Sequence, residues 1–336
     1  MATTQLADVY VPLTFNRRAQ EAQIAKNAFL ASGVAVADAT LGQQFAAGGN
    51  IAELPQYNGI THGEPNYSSD DNTSSATASK ITSKKQIARS AHRNEHWSTM
   101  DLSRELALED PMGAITDSVG GYWASDDEQR IIRSCAGILA NNDAADSDDM
   151  VNKLATDAVG AITDAERISA TAIMTAEQTM GDAKTKLTAI AMHSLQQHRL
   201  RLQGLIVDNI DPASGSLLYS TYLGKRVIVD DSLFTIAGTN RITYQVILFG
   251  PGAFSFAAGP VQTPSELTRN ALVGDGGGET ILSSRVNTIY HPNGFQCLAA
   301  GVAATTATYA ELAAAAAWDR VVSRKNISLA FLTVND

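Results

Sequence analysis

The sequence has little cysteine and no long apolar run, and each shortage excludes a class of protein. Its 2 cysteines, Cys135 and Cys297, are too few for a disulfide scaffold and form no C-x-x-C pair for a metal or redox centre. No apolar run approaches the ~20 residues of a membrane-spanning helix, since the run 244–249 ends at Gly250. The first residues lack a basic segment followed by an apolar one, so no signal or transit peptide is indicated. We expect a soluble protein made inside the cell, with both cysteines buried and reduced.

The chain is also short of charge, and the charge that it has is mostly negative. Charged residues make up 18% of the 336 residues, below the ~25% typical of globular proteins, while 44% are hydrophobic. This balance excludes a disordered acidic or basic polypeptide, and the length predicts one large domain or two intertwined ones. With 25 basic and 35 acidic residues the net charge is −10, which argues against a protein that grips nucleic acid or an anionic membrane through its overall charge.

The first third of the sequence predicts an arm followed by a long polar loop. Thr14 and Asn16 are suited to cap a helix that runs through Leu30 and stops at Gly33. Residues 61–85 then lack apolar periodicity, and a compact domain rarely keeps such a loop without a use for it. The loop is acidic in its first half (Glu64, Asp70, Asp71) and basic in its second (Lys80, Lys84, Lys85). It is therefore either a mobile solvated loop or a segment that pairs with a copy of itself or lies on an oppositely charged surface.

The remaining pattern predicts long helices and then short strands, which is the α+β class. Asp110 followed by Pro111 marks the start of a helix of about thirty residues, with apolar residues at helical spacing to Leu139 and a possible bend at Gly120 and Gly121. Further helices are expected at 150–173, 183–202 and 308–322, and strands at 217–222, 226–229, 233–236, 242–249, 280–290 and 327–334. The acidic run 143–149 between these regions is expected to be a solvated connector and a domain boundary.

One short motif carries a catalytic alternative. His92, Glu95 and His96 spell H-x-x-E-H, an order in which two zinc ligands and a glutamate base occur in one class of zinc proteases. A zinc-dependent hydrolase built on these residues is therefore the alternative function. That site requires a helix, a third ligand and a cleft, whereas the motif follows a polar loop and precedes a helix start near Asp101.

Other motifs that resemble cofactor sites lack an essential residue. The glycines around Pro251 follow a strand but lack the third glycine and the helix of a dinucleotide site, so a turn is predicted. The cluster 274–278 has no following Lys-Ser or Lys-Thr and is predicted to permit tight turning. The other histidines (His62, His193, His198, His291) have no neighbouring nucleophile in the sequence and are expected to be structural or exposed. We expect no catalytic, cofactor-binding or metal-ligating residue and therefore no enzyme.

Two ordered sets of segments resemble parts of one known protein family. The first set resembles the loop and the entry and body of the long spine helix, and it comprises residues 80–97, 101–106, 110–115 and 122–123. The second resembles the closing segment of the same family and comprises residues 291–295, 309–312, 318–321 and 324–327. Together the two sets span most of the chain in the expected order, and the family that they resemble is the tailed-bacteriophage major capsid proteins of the Hong Kong ninety-seven fold type.

The resemblance implies both an architecture and a function. The architecture would comprise an N-terminal arm (1–45), an extended loop (50–98), a peripheral domain with the spine helix (99–150 and 279–294) and an axial domain (151–278 and 295–336). The function would be self-assembly into hexamers and pentamers of an icosahedral head shell around a double-stranded DNA genome, without sequence-specific DNA binding. Expected partners are other copies of the chain and portal, scaffolding and decoration proteins, in the virion and, during assembly, the host cytoplasm. Covalent crosslinking through Lys80, Lys84, Lys85 or Asn326 is not expected, because these residues match no crosslinking motif.

Overall fold

The structure is a computed structural model that describes residues 28–60, 62–107, 111–211, 215 and 217–336. Its α-helices are α1 Ala28–Ala31, α2 Ala39–Ala46, α3 Asp101–Ala107, α4 Pro111–Ala145, α5 Ala170–Gln178, α6 Ser194–Leu202 and α7 Tyr309–Leu312. Its strands are β1 Ala35–Ala37, β2 Ile51–Tyr57, β3 Ser83–Arg89, β4 Ala91–Met100, β5 Val151–Lys153, β6 Ala189–Met192, β7 Ile206–Ile210, β8 Leu217–Tyr222, β9 Lys225–Val229, β10 Thr235–Ala237, β11 Ile242–Phe249, β12 Phe254–Ala258, β13 Ser265–Asn270, β14 Glu279–Pro292, β15 Phe295–Cys297, β16 Trp318–Arg320 and β17 Leu329–Asn335. The α+β class is confirmed.

The long helix α4 dominates the fold, as the sequence predicts. It has 35 residues and is therefore roughly 50 Å long, and it runs through Gly120 and Gly121 without interruption. The predicted cap Asp110 lies outside the described residues, as do Thr14 and Asn16 of the arm. Gly33, with a φ of +75°, follows α1 and is the predicted helix stop.

Three predicted helices are largely wrong. The region 150–173 contains β5 and only the start of α5, and the region 183–202 contains β6 before α6 begins. The region 308–322 is α-helical only in α7, which Thr308 and Glu311 begin with a capping box; a 3₁₀ turn at Ala315–Ala317 follows and leads into β16. Alanine-rich segments have high helix propensity, but sheet burial outweighs it, since all four residues of β6 are buried between two neighbouring strands.

Two sheets flank the C-terminal half of α4. In the smaller one, the long strand β14 pairs with β4 on one side and with β12 and β13 on the other, and β1 adds to β12. The larger one has the order β5-β17-β11-β6-β9-β8-β7, with β10 also paired to β11. One hydrophobic core joins both sheets through buried helix residues such as Ile132, Cys135 and Ile138, all with 0% exposure. Cys297 belongs to the same core, so both cysteines are buried as predicted.

The acidic run at the end of α4 is not the solvated connector that was expected. Arg320 contacts Asp146 at 3.0 Å and Asp149 at 2.8 Å, and Lys153 contacts Asp148 at 2.8 Å. The helix itself continues to Ala145 before the chain turns. The run therefore ties the end of the helix to β16 and β5, because each cation comes from one of these strands.

A close approach in the core makes one helix glycine indispensable. A Cβ atom at Gly137 would lie 2.1 Å from the Leu312 carbonyl oxygen and 2.6 Å from the Trp318 ring. Trp318 is buried, and its indole Nε1 donates a 2.8 Å hydrogen bond to the same carbonyl.

We predict that Gly137→Ala lowers the free energy of unfolding by about 1–3 kcal/mol or more, because it overpacks this contact. Gly120→Ala is the matched control on the same helix, since a Cβ there meets no atom within 4 Å. The control should be neutral or stabilising by about 0.5–1 kcal/mol. Chemical denaturation monitored by circular dichroism measures both, and equal effects of the two substitutions would contradict the prediction.

Candidate functional site

The H-x-x-E-H motif lies on a strand and does not form a zinc site. His92 and His96 are on the exposed face of β4, ~13 Å apart at the rise of a strand, and Glu95 points to the opposite face. His96 Nδ1 lies 2.9 Å from Ser283 Oγ, and Glu95 accepts a 3.1 Å hydrogen bond from the Tyr122 hydroxyl. Across the ranges that the structure describes, no group of three or more His, Cys, Asp or Glu side chains is arranged to hold a metal. The zinc interpretation required a helix, so it is wrong.

The remaining motifs are structural, as predicted. The glycines around Pro251 form the turn between β11 and β12, and the cluster 274–278 forms the turn between β13 and β14. His62 and His198 are exposed, whereas His193 caps α6 by accepting a 3.2 Å hydrogen bond from the Leu195 amide. His291 is buried and is described below.

Once these motifs are assigned structural roles, the remaining candidate for a functional element is an exposed extension of the hairpin formed by β2 and β3. Residues 58–82 between the two strands form neither helix nor strand at any described position, and from 59 to 85 every described residue is exposed. The predicted polar loop is therefore confirmed, although it ends at Thr82, because β3 begins at Ser83. Asn58 and Thr82 close its base with a 2.8 Å backbone hydrogen bond and a 2.7 Å side-chain hydrogen bond. The region 50–98 expected from the family resemblance also contains strands, so from here on the name extended loop is used for residues 58–82 alone.

Local hydrogen bonds shape the tip of the extended loop. Asp71 Oδ1 accepts from the Thr73 amide at 2.9 Å and from the Thr73 hydroxyl at 2.7 Å. The hydroxyl bond and then the amide bond lower the pKa of Asp71, so the tip stays negatively charged. Nearer the base, the Asn66 side chain donates to the Thr77 carbonyl at 3.1 Å and holds the two arms of the loop together.

The base of the extended loop is fixed by a buried amide. Gln86 of β3 accepts at Oε1 from the Gly294 amide at 3.0 Å, and the same oxygen lies 3.1 Å from His291 Nε2. Its amide group donates to Gln56 of β2. Lys84 donates a 2.9 Å hydrogen bond to the Val321 carbonyl. The base is therefore joined to the end of β14 and to the segment after β16.

A buried ion cluster attaches the strand after the loop to α4. Arg93 of β4, with 8% of its side chain exposed, contacts Asp126 and lies 2.8 Å from Asp127, both on α4. It also donates to Thr288 of β14 at 2.5 Å, and its guanidinium lies 5.4 Å from the centre of the Trp123 ring. Burial opposes the charge of Arg93, but the two carboxylates outweigh burial and raise its pKa. Arg93 thus links β4 to β14 of the same sheet and to the helix α4.

An open cleft lies at the base of the extended loop. Its volume is about 490 Å³, and it separates the loop from the segment 321–326. The lining residues include two lysines and no carboxylate; they are Gln56, Tyr57, Asn58, Gly59, Ile60, Ser79, Lys80, Ile81, Thr82, Lys84, Val321, Val322, Ser323 and Asn326. We call this the basal cleft.

A projecting loop on a rigidly anchored base is suited to contact other chains. Comparison with known sequences identifies the family. The chain is 35% identical over 334 residues to the major capsid protein of Bacillus phage SPP1, covering 98% of this chain and 97% of that one. The chain belongs to the major capsid proteins of tailed phages. No family model matches it. Its relatives are structural capsid proteins and not enzymes, so the capsid function stands and the hydrolase alternative has no support.

Solved structures agree with this fold at much lower sequence identity. The capsid of Ralstonia phage GP4 has a TM-score of 0.61 at 10% identity and covers 100% of this chain and 98% of its own. The capsid of cyanophage Pam1 has a TM-score of 0.60 at 12% identity and covers 100% of this chain and 99% of its own. The Hong Kong ninety-seven type fold is therefore confirmed. No helix in the described ranges has the length and apolarity to cross a bilayer.

Sequence reasoning found the extended loop of this capsid protein but missed what anchors it. Gln86 and Arg93 gave no signal, because a lone amide or arginine in a strand is ordinary until its partners are known. The run of three acids, Asp126, Asp127 and Glu128, in the middle of the helix was the one visible hint.

His291 makes the anchored base sensitive to acid. It is fully buried, and burial lowers its pKa from 6.5 to about 4, with Asp38 offsetting this only in part. Because the folded-state pKa lies below the unfolded value, the neutral ring stabilises the fold fully above pH ~6.5, and this contribution is lost as the pH falls towards 4.

We predict that the free energy of unfolding falls by roughly 3 kcal/mol more in the wild type than in His291→Gln between pH 6.5 and pH 4. Urea titrations at a series of pH values measure the difference. His62→Gln is the control, because His62 is exposed and its replacement should leave the wild-type pH profile unchanged. Parallel pH profiles of wild type and His291→Gln would show that His291 does not titrate in this way.

Proposed function

We propose that this capsid protein assembles into hexamers and pentamers of an icosahedral head shell that encloses double-stranded DNA. The observation that carries this proposal is the exposed extended loop, which contributes nothing to the core of its own subunit but stands on a buried, hydrogen-bonded base. Contacts between identical chains that repeat around a ring are individually weak but add up, because each one raises the effective concentration for the next. Portal, scaffolding and decoration proteins are the proposed further partners, with assembly in the host cytoplasm.

We also propose the division of the subunit that the family resemblance implies. The N-terminal arm comprises residues 1–45, the extended-loop region 50–98, the peripheral domain 99–150 and 279–294, and the axial domain 151–278 and 295–336. Strand pairing supports one change to this division. Strands β12 and β13 share a sheet with β14, so we assign them to the peripheral domain rather than to the axial domain. The spine helix of this division is α4.

The net charge of −10 suits a container for DNA. A wall that does not bind double-stranded DNA avidly leaves the genome free to move in and out. We propose that the shell holds DNA by enclosure, without sequence-specific contacts.

Expression of the chain, followed by electron microscopy for hollow icosahedral particles, tests the proposed assembly. A separate scaffolding protein from the same virus is added if the chain alone stays unassembled. A chain that remains monomeric at high concentration under both conditions would overturn the proposal.

We predict that replacing residues 59–81 with a three-residue turn leaves a folded subunit that forms no shells. The paired ends Asn58 and Thr82 remain, and every described residue that is removed is exposed, so circular dichroism and the free energy of unfolding should match the wild type within about 1 kcal/mol. Electron microscopy and sedimentation measure assembly. Normal particles from the shortened chain would contradict a role for the extended loop, and loss of the native circular dichroism would contradict its independence from the core.

A further inference from the structure

The extended loop and the basal cleft carry opposite charges. Between residues 58 and 79 the loop contains no lysine or arginine, and its acidic residues Glu64, Asp70 and Asp71 are exposed. The basal cleft is lined by Lys80 and Lys84 and by no carboxylate. The acidic part of the loop and the basal cleft are therefore complementary in charge.

The basal cleft also presents apolar surface that no residue in the described part of the chain covers. Tyr57 is 71% exposed, Ile60 is 85% exposed and Ile81 is 56% exposed. On the loop tip, Tyr67 is 76% exposed beside the acidic residues. Exposed apolar side chains of this size, clustered with charge, mark an interaction surface.

Charge pairing of the loop with a copy of the chain is one of the alternatives that the sequence leaves open, and the structure shows which lysines are available for it. Lys85 is engaged by Glu53 of its own chain at 2.6 Å and does not line the basal cleft. Lys84 uses one donor on the Val321 carbonyl and has two further N–H groups. Lys80 lines the basal cleft and is exposed. Lys80 is therefore the main cation that the cleft offers to a second chain.

The tip of the loop projects away from its own cleft. The contacts between Asn66 and Thr77 and between Asn58 and Thr82 keep the two arms side by side, which places the turn around Asp71 at the far end. About twelve residues separate this turn from the base, so the loop reaches up to ~40 Å when extended. That reach is sufficient to contact the next subunit in a ring.

We propose that the tip of the extended loop, residues 64–71, docks into the basal cleft of a second copy of the chain. In this contact Asp70 pairs with Lys80, and Tyr67 covers the apolar side chains around Ile60. The contact is head-to-tail, since each subunit donates a tip and accepts one, and such contacts close into rings. The docking depends on the proposed self-assembly and names the residues that carry it.

Charge reversal with rescue tests the docking. We expect Lys80→Glu and Asp70→Lys each to lower the yield of particles at least tenfold, and the double variant to restore it to within about threefold of the wild type. Lys184→Glu is the matched control, because Lys184 is exposed, lies outside the cleft lining and undergoes the same change of charge. Normal assembly of both single variants, or failure of the double variant to recover, would overturn the docking. Absence of particles from the wild type would instead overturn the proposed function.

Disulfide trapping gives a readout that does not depend on the yield of assembly. With Asp70→Cys and Lys80→Cys in one chain, mild oxidation of assembled particles should produce a ladder of linked subunits on a non-reducing denaturing gel. The native Cys135 and Cys297 are buried, and the variants Asp70→Cys alone and Lys80→Cys alone control for reaction of these native cysteines. Particles of the double variant that stay monomeric on the gel after oxidation would overturn the contact.

Discussion

The buried contact of Arg93 with Asp126 and Asp127 is the interaction on which the rest of the subunit depends. It joins β4, which follows the loop strand β3 in the chain, to the helix α4, and it reaches β14 through Thr288. Burial raises the pKa of Asp127, and Arg93 offsets this only in part. Two carboxylates and a guanidinium therefore give up solvation together, so removal of Arg93 would leave two largely buried carboxylates without a compensating charge. The free-energy cost of separating these buried charges holds β4 at a single position on α4.

This rigid attachment explains how one chain combines a firm body with an exposed extension. The extended loop has no core of its own, so its position relative to a neighbour depends on the strands at its base. Gln86 fixes those strands through the Gly294 amide and His291, and Arg93 fixes the next strand. An exposed segment loses less conformational entropy on docking when its ends are already held. Weak contacts at the tip can then contribute to a stable shell through repetition.

The sequence predicted those parts whose local pattern agrees with their tertiary environment. Helix α4 has apolar residues at helical spacing and Pro111 at its first position, and strand β11 is rich in β-branched, aliphatic and aromatic residues, so both were predicted closely. Strand β6 was missed because Ala189 and Ala191 favour a helix in isolation and become strand residues only between β9 and β11. For the same reason, the anchors of the loop could not be predicted, since Gln86 and His291 are more than two hundred residues apart in sequence.

The range of sequences that share this fold indicates which features are specific to this chain. Capsids of two other phages have the same architecture at 10% and 12% identity, so the fold requires apolar patterning and volume at core positions rather than particular residues. Charge on an exposed loop is under no such constraint, because no core packing depends on it. An acidic tip and a basic cleft that must match each other can therefore change together from one phage to another. Such paired changes would make subunits of one phage assemble with each other rather than with those of a relative. A tip from one phage and a cleft from another would then bring like charges together.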